Sequence, residues 1–171
     1  MQELERLQRR IDALESEQSI RYCINRYMDL CDRLSLETPF DELGELFTQD
    51  AIWQGKGARY AKSFGGYAGR EEIVNMLKTY ATNPPHFALN VHYLSSEVIR
   101  VDGDSANASW NMIQVSTFNA GGSHLNSARL SVTFSRKEGM WRISCFQTEN
   151  LFSRPISDWN SEAELPVPES K

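Results

Sequence analysis

The chain has 171 residues, of which 40% are hydrophobic and 24% charged, with a net charge of −5. That composition predicts one domain over residues 1–171 with enough apolar material for a core, and it excludes a disordered chain. The acidic balance, with no basic run interleaved with aromatics, argues against a nucleic-acid partner, and the short apolar runs argue against a membrane span. The opening MQELERLQRR lacks the apolar stretch of a secretion signal. Cys23, Cys31 and Cys145 are odd in number and widely spaced, so reduced thiols in a cytoplasmic protein are expected, without disulfides or a cysteine metal site.

In chain order, the first third reads as helix. Leu4, Leu7, Ile11 and Leu14 recur at three and four, and Ile20, Cys23, Ile24, Tyr27, Cys31 and Leu34 continue at helical spacing. Residues 1–16 are highly charged and are expected to extend from the domain and pack on a neighbour or on another subunit. Pro39 opens a second short helix, and Ala51-Ile52-Trp53 reads as a short strand. The stretch holding Tyr60, Phe64 and Tyr67 is expected as a loop. Gly69-Arg70-Glu71 starts a third helix, which Asn83-Pro84-Pro85 stops. Segments 88–101, 105–118, 125–136 and 140–150 are rich in β-branched and aromatic residues. Asp102-Gly103-Asp104, Asn119-Ala120-Gly121-Gly122 and Glu138-Gly139 separate them as hairpin turns. Helices followed by a strand meander make an α+β pattern. The proline-containing segment 155–171 reads as an extended tail.

Five pieces in this order resemble the SnoaL-like branch of the nuclear transport factor 2-like superfamily. They are RYMDLCD (Arg26 to Asp32), DELGELFTQDAIW (Asp41 to Trp53), Gly69 to Glu71, His92 ahead of VDGDSA (Val101 to Ala106), and GMWRI (Gly139 to Ile143). The resemblance spans roughly residues 17–150. It implies a cone-shaped α+β barrel: a curved, mostly antiparallel sheet with three N-terminal helices enclosing an apolar pocket. In dehydratases and a dehydrochlorinase of that superfamily, a sheet His and a first-helix Asp form a base dyad. Carried over, these are His92 and Asp32, with Tyr27 as a third member. Two departures stand out. Ser96 replaces an Asn common in the family, and the strand after His92 offers only Trp110, Asn111, Gln114 and Ser116 where dehydratases place a second Asp or His.

Neutral imidazole is a good base near pH 7, and a carboxylate on its other nitrogen fixes the tautomer. With no cofactor motif and no activated nucleophile, the expected chemistry is cofactor-independent proton abstraction followed by elimination or a double-bond shift. The expected substrate is a hydrophobic cyclic small molecule. Asn111, Gln114 or Tyr27 could donate to the developing negative charge, while Trp53, Phe64, Leu94, Trp110, Met112 and Phe152 are candidates to line the pocket. On residues alone Asp32 is less secure, because it lies about 140° around a straight helix from Tyr27, at the rim of the apolar stripe. His86 and His124 read as surface residues, and no HxH or HExxH spacing suggests a metal. A non-catalytic ligand-binding or assembly module, such as a dioxygenase β-subunit-like protein, and a polyketide-type cyclase are the competing readings. A homo-oligomer is expected from the alternating apolar residues that would leave a second sheet face to cover, and the resemblance implies a trimer or dimer.

Overall fold

The computed structural model describes residues 1–58, 60 and 65–157. Helix α1 (Gln2–Asp32) is one unbroken element of 31 residues, and α2 (Phe40–Glu45) follows a short turn. Strands β1 (Phe47–Lys56) and β2 (Gly66–Ala68) precede α3 (Arg70–Lys78). The long strands are β3 (Phe87–Asp102), β4 (Ser105–Phe118), β5 (Ser123–Lys137) and β6 (Met140–Ile156).

The six strands form a curved sheet in the order β2-β1-β6-β5-β4-β3, which does not close: β2 and β3 are its two edges. The last four strands are an antiparallel meander joined by tight turns. The Glu138-Gly139 turn has positive φ at both residues, 55° and 76°, the geometry that matches the twist of flanking strands. Strand β1 returns parallel to β6, and α1 lies across the concave face against β3 and β6. The core between them is built from Ile20, Ile24, Phe47, Ile73, Leu130, Phe134 and Ile143, each almost fully buried. The convex face leaves Leu89, Tyr93 and Ile113 exposed.

Two expectations need correction. Tyr67 lies in β2, paired opposite Trp53, and not in a loop. The segment expected as β6 continues past residue 150, so Pro155 sits inside the strand, opposite His124. Beyond Glu149 β6 has no β1 neighbour, so the missing N–H of Pro155 costs no ladder bond on that side. The rest of the expected tail, from residue 158, lies outside the described residues. Ser16 is the first buried residue of α1 and the turns before it stand clear of the sheet, apart from an Arg136–Asp12 ion pair of 3.0 Å.

Candidate functional site

Helix α1 ends at Asp32, and Arg33 leaves helical geometry with φ −123° and ψ 29°. Asp32 is thus the last helical residue, and its side chain reaches His92 on β3. The carboxylate meets His92 twice. Oδ1 lies 2.5 Å from His92 Nδ1, and the backbone N–H of His92 donates to Oδ1 and Oδ2 at 3.1 and 3.3 Å. A carboxylate only accepts, so Nδ1 carries a proton, and in the neutral imidazole the lone pair lies on Nε2. Both side chains are largely buried, His92 at 12% and Asp32 at 19% exposure. Among the described residues no hydrogen bond is made by His92 Nε2, and His92 lines a cavity of about 440 Å³. That volume is in the range of small-molecule sites.

The cavity has two unlike walls. Tyr27, Met28, Leu34, Met76, Leu77 and Tyr80 come from the helices and the turns after them; Trp53 and Phe146 add aromatic surface at one end. The Trp53 and Phe146 rings stack with centroids 5.7 Å apart. The sheet wall instead carries Asn90, His92, Gln114, Ser116, Asn126 and Thr148. Register explains this line-up: His92 faces Gln114, Gln114 faces Asn126, and Asn126 faces Ser153, one row across four strands.

Hydrogen bonds join that row into a network. Asn90 Nδ2 donates to the carbonyl of Cys31 at 3.2 Å, and Asn90 Oδ1 accepts from Gln114 Nε2 at 2.9 Å and Ser116 Oγ at 2.8 Å. Asn150 Nδ2 donates to Asn126 Oδ1 at 2.7 Å, and Asn126 Nδ2 reaches Tyr60 Oη at 3.1 Å. Asn90 therefore ties the end of α1, next to Asp32, to the strand that carries His92. Tyr27 Oη accepts from Trp53 Nε1 at 3.1 Å, and burial pushes its hydroxyl well above the ordinary tyrosine range. Burial likewise pushes the Cys31 thiol, also on the cavity wall, up to about 12.

Of the residues singled out from sequence, His92, Tyr27, Trp53, Met112 and Gln114 line the cavity, and Asp32 stands behind His92. Four do not line it. Asn111 is exposed on the convex face, because Met112 and Gln114 already define the inward parity of β4. Phe152 is turned out by the register shift between Ser127 and Ala128, which sets Leu151 out of step with β5. Leu94 and Trp110 face inward but lie deeper in the core, where Trp110 Nε1 donates to Glu97 at 3.2 Å. Phe64 lies outside the described residues. His86 is exposed, as expected, and also borders the cavity, while His124, expected on the surface, is half-buried on the cavity wall. The His86 ring packs edge-on to Phe87, Tyr80 and Phe118, and His124 neighbours Ser153 Oγ. Ser116, named among the polar residues of that strand, also lines the cavity; Asn90, Asn126 and Ser153 were not foreseen, although inward parity on β3 and β5 would have flagged the first two. Among the described residues no His, Cys, Asp and Glu side chains group into a metal site.

The family profile of the SnoaL-like domain matches residues 12–147, and the chain belongs to that family. No curated protein matches the sequence at a significant level. Among solved structures, hexachlorocyclohexane dehydrochlorinase LinA-type3 from Novosphingobium barchaimii LL02 superposes with a TM-score of 0.70 at 18% identity, over 92% of this chain and 99% of that one. A candidate scytalone dehydratase from Novosphingobium aromaticivorans gives 0.69 at 18% identity, covering 93% and 97%. An NTF2-like protein with a cystatin-like fold from Novosphingobium aromaticivorans gives 0.64 at 23% identity, covering 85% and 88%. At these identities the likeness establishes the fold.

Proposed function

We propose that the protein is a cofactor-independent lyase or isomerase acting on a hydrophobic, cyclic small molecule, with His92 as general base and Asp32 as its partner. The observation that carries this reading is the His92–Asp32 contact on the wall of a largely apolar cavity. The dehydrochlorinase name of a structural neighbour adds support for elimination.

His92 Nε2 takes a proton from a carbon next to the leaving group. The electrons of that C–H bond form the new double bond, and the leaving group departs with its own pair. Asp32 stabilises the imidazolium that results, as carboxylates do for histidine in hydrolytic triads. Tyr27, kept protonated by burial, and the amide of Gln114 are the donors available to a developing oxyanion or a departing hydroxyl. In an isomerisation the imidazolium returns its proton to another carbon of the same substrate. General base catalysis supplies ~10²–10⁴-fold, and the cavity's positioning of the ring supplies more.

The test is turnover of cyclic alcohols, halides and enones, followed by the absorbance of the new double bond. His92→Ala and Asp32→Asn should each lower kcat/KM by at least ~10²-fold with the circular dichroism unchanged. Unaltered turnover in His92→Ala would remove the dyad from the chemistry. Tight binding of ring compounds with no turnover would make the protein a ligand-binding module.

A further inference from the structure

Helix α1 carries two apolar stripes, and they lie on opposite sides. From Ser16 onward the buried residues Ile20, Cys23, Ile24, Tyr27 and Cys31 face the sheet. At about 100° per residue, Leu4, Leu7, Ile11 and Leu14 lie about 180° from that direction. The structure agrees: all four are exposed, at 71%, 43%, 47% and 64%. Their stripe cannot turn onto the protein's own core without twisting the helix half a revolution. An isolated helical extension of this length is marginal in water, yet α1 runs unbroken from Gln2.

Spacing and charge say what covers the stripe. Leu4, Leu7, Ile11 and Leu14 occupy successive a and d positions of two heptads, with Ile11 at a and Leu7 and Leu14 at d, the pattern that favours two parallel strands. In that alignment Arg10 holds a g position and Glu15 the following e position. A parallel pair sets each Arg10 beside Glu15 of the second copy, twice by symmetry, and brings no like charges together. An antiparallel pair with the same core layers sets Arg10 beside Arg10 and Glu3 beside Glu17. Among the described residues neither Arg10 nor Glu15 has an ion-pair partner within the chain. Because each sheet lies on the far side of its helix, two helices can meet back to back with the domains outward.

We infer that residues 2–15 form a parallel, two-stranded coiled coil with a second copy of this chain. The contact lies on the far side of α1 from the cavity, so it leaves the catalytic geometry alone.

The experiment is sedimentation equilibrium on the full chain across a dilution series. Ile11→Glu should halve the assembled mass, whatever further association the convex sheet face provides. Arg10→Glu and Glu15→Arg should each weaken association about 5- to 10-fold, and the double exchange should restore it. Ile11→Cys should cross-link to itself under mild oxidation, as residues at one a layer do only in a parallel pair. A mass unchanged by Ile11→Glu, or a double exchange no better than either single change, overturns the proposal. So does a wild-type monomer that floats with anionic phosphatidylserine vesicles, which would assign the stripe to a lipid surface.

Discussion

The two walls of the cavity do different work. The helix wall offers Met28, Leu34, Met76 and Leu77, which have no hydrogen-bonding demand and adapt to shape. The sheet wall offers amides and hydroxyls whose partners are fixed by strand register, with Asn90, Gln114 and Asn126 on three successive strands. A strand ladder holds side chains at set spacings, so groups that need exact direction sit there, while size selection falls to the helices. The teaching is that changes on one wall should move rate and changes on the other should move recognition.

The sharpest test is Asn90→Ala, which strips partners from Gln114, Ser116 and the Cys31 carbonyl together. We expect kcat to fall ~10–100-fold with KM nearly constant, and stability to fall by about 1–3 kcal/mol. Steady-state kinetics beside urea unfolding would separate the two, and a change confined to KM would break the division of labour. Next in size is Leu77→Ala on the opposite wall. It should cost about 2–3 kcal/mol in urea unfolding, at the low end for a buried leucine because the cavity already borders it. It should also raise KM for small rings more than it lowers kcat.

Alkaline pH probes the buried thiols of α1. Burial raises the Cys23 and Cys31 thiols to about 12. Their contribution to stability is therefore complete below the ordinary thiol range of about 8.5 and declines as pH rises toward 12. Chemical denaturation between pH 7 and 11 should show that decline, and substitution of both residues by Ala should flatten it. The smallest effect concerns Ser96, held at φ 54° beside the register shift between Ser95 and Val98. Asn enters that region more easily than Ser, so Ser96→Asn should stabilise by under about 1 kcal/mol in a thermal melt.

Much of this architecture can be read from the chain, because turn signals and β-branched runs are local. The meander from 88 to 150 follows from three turns and alternating residues. Asp32 is different: helical periodicity places it at a rim, and only its contact with His92 on β3 shows that this rim faces the sheet. Asn111 was legible and misread, since the alternation that puts Met112 and Gln114 inside excludes it. Phe152 was not legible, because a single irregularity at Leu151 reverses parity late in a long strand. His124 looks like a surface residue because it borders a turn, yet it is half-buried at the cavity wall, whereas His86 is exposed as expected and borders the same cavity. Depth is equally hidden in sequence: Trp110 and Met112 share a face, and only the packing of Glu97 shows which one reaches the ligand space.

The parallel pairing of β1 with β6 has a kinetic consequence. Ile52 meets Cys145 across 93 positions of chain, whereas β3 to β6 meet through tight turns. Closing so long a loop is slow and is rewarded only once both segments are ordered. The meander should therefore form early, and the N-terminal elements should dock late. Asp32 travels with those elements and His92 with the meander, so a refolding chain would regain its β signal before the His92–Asp32 contact.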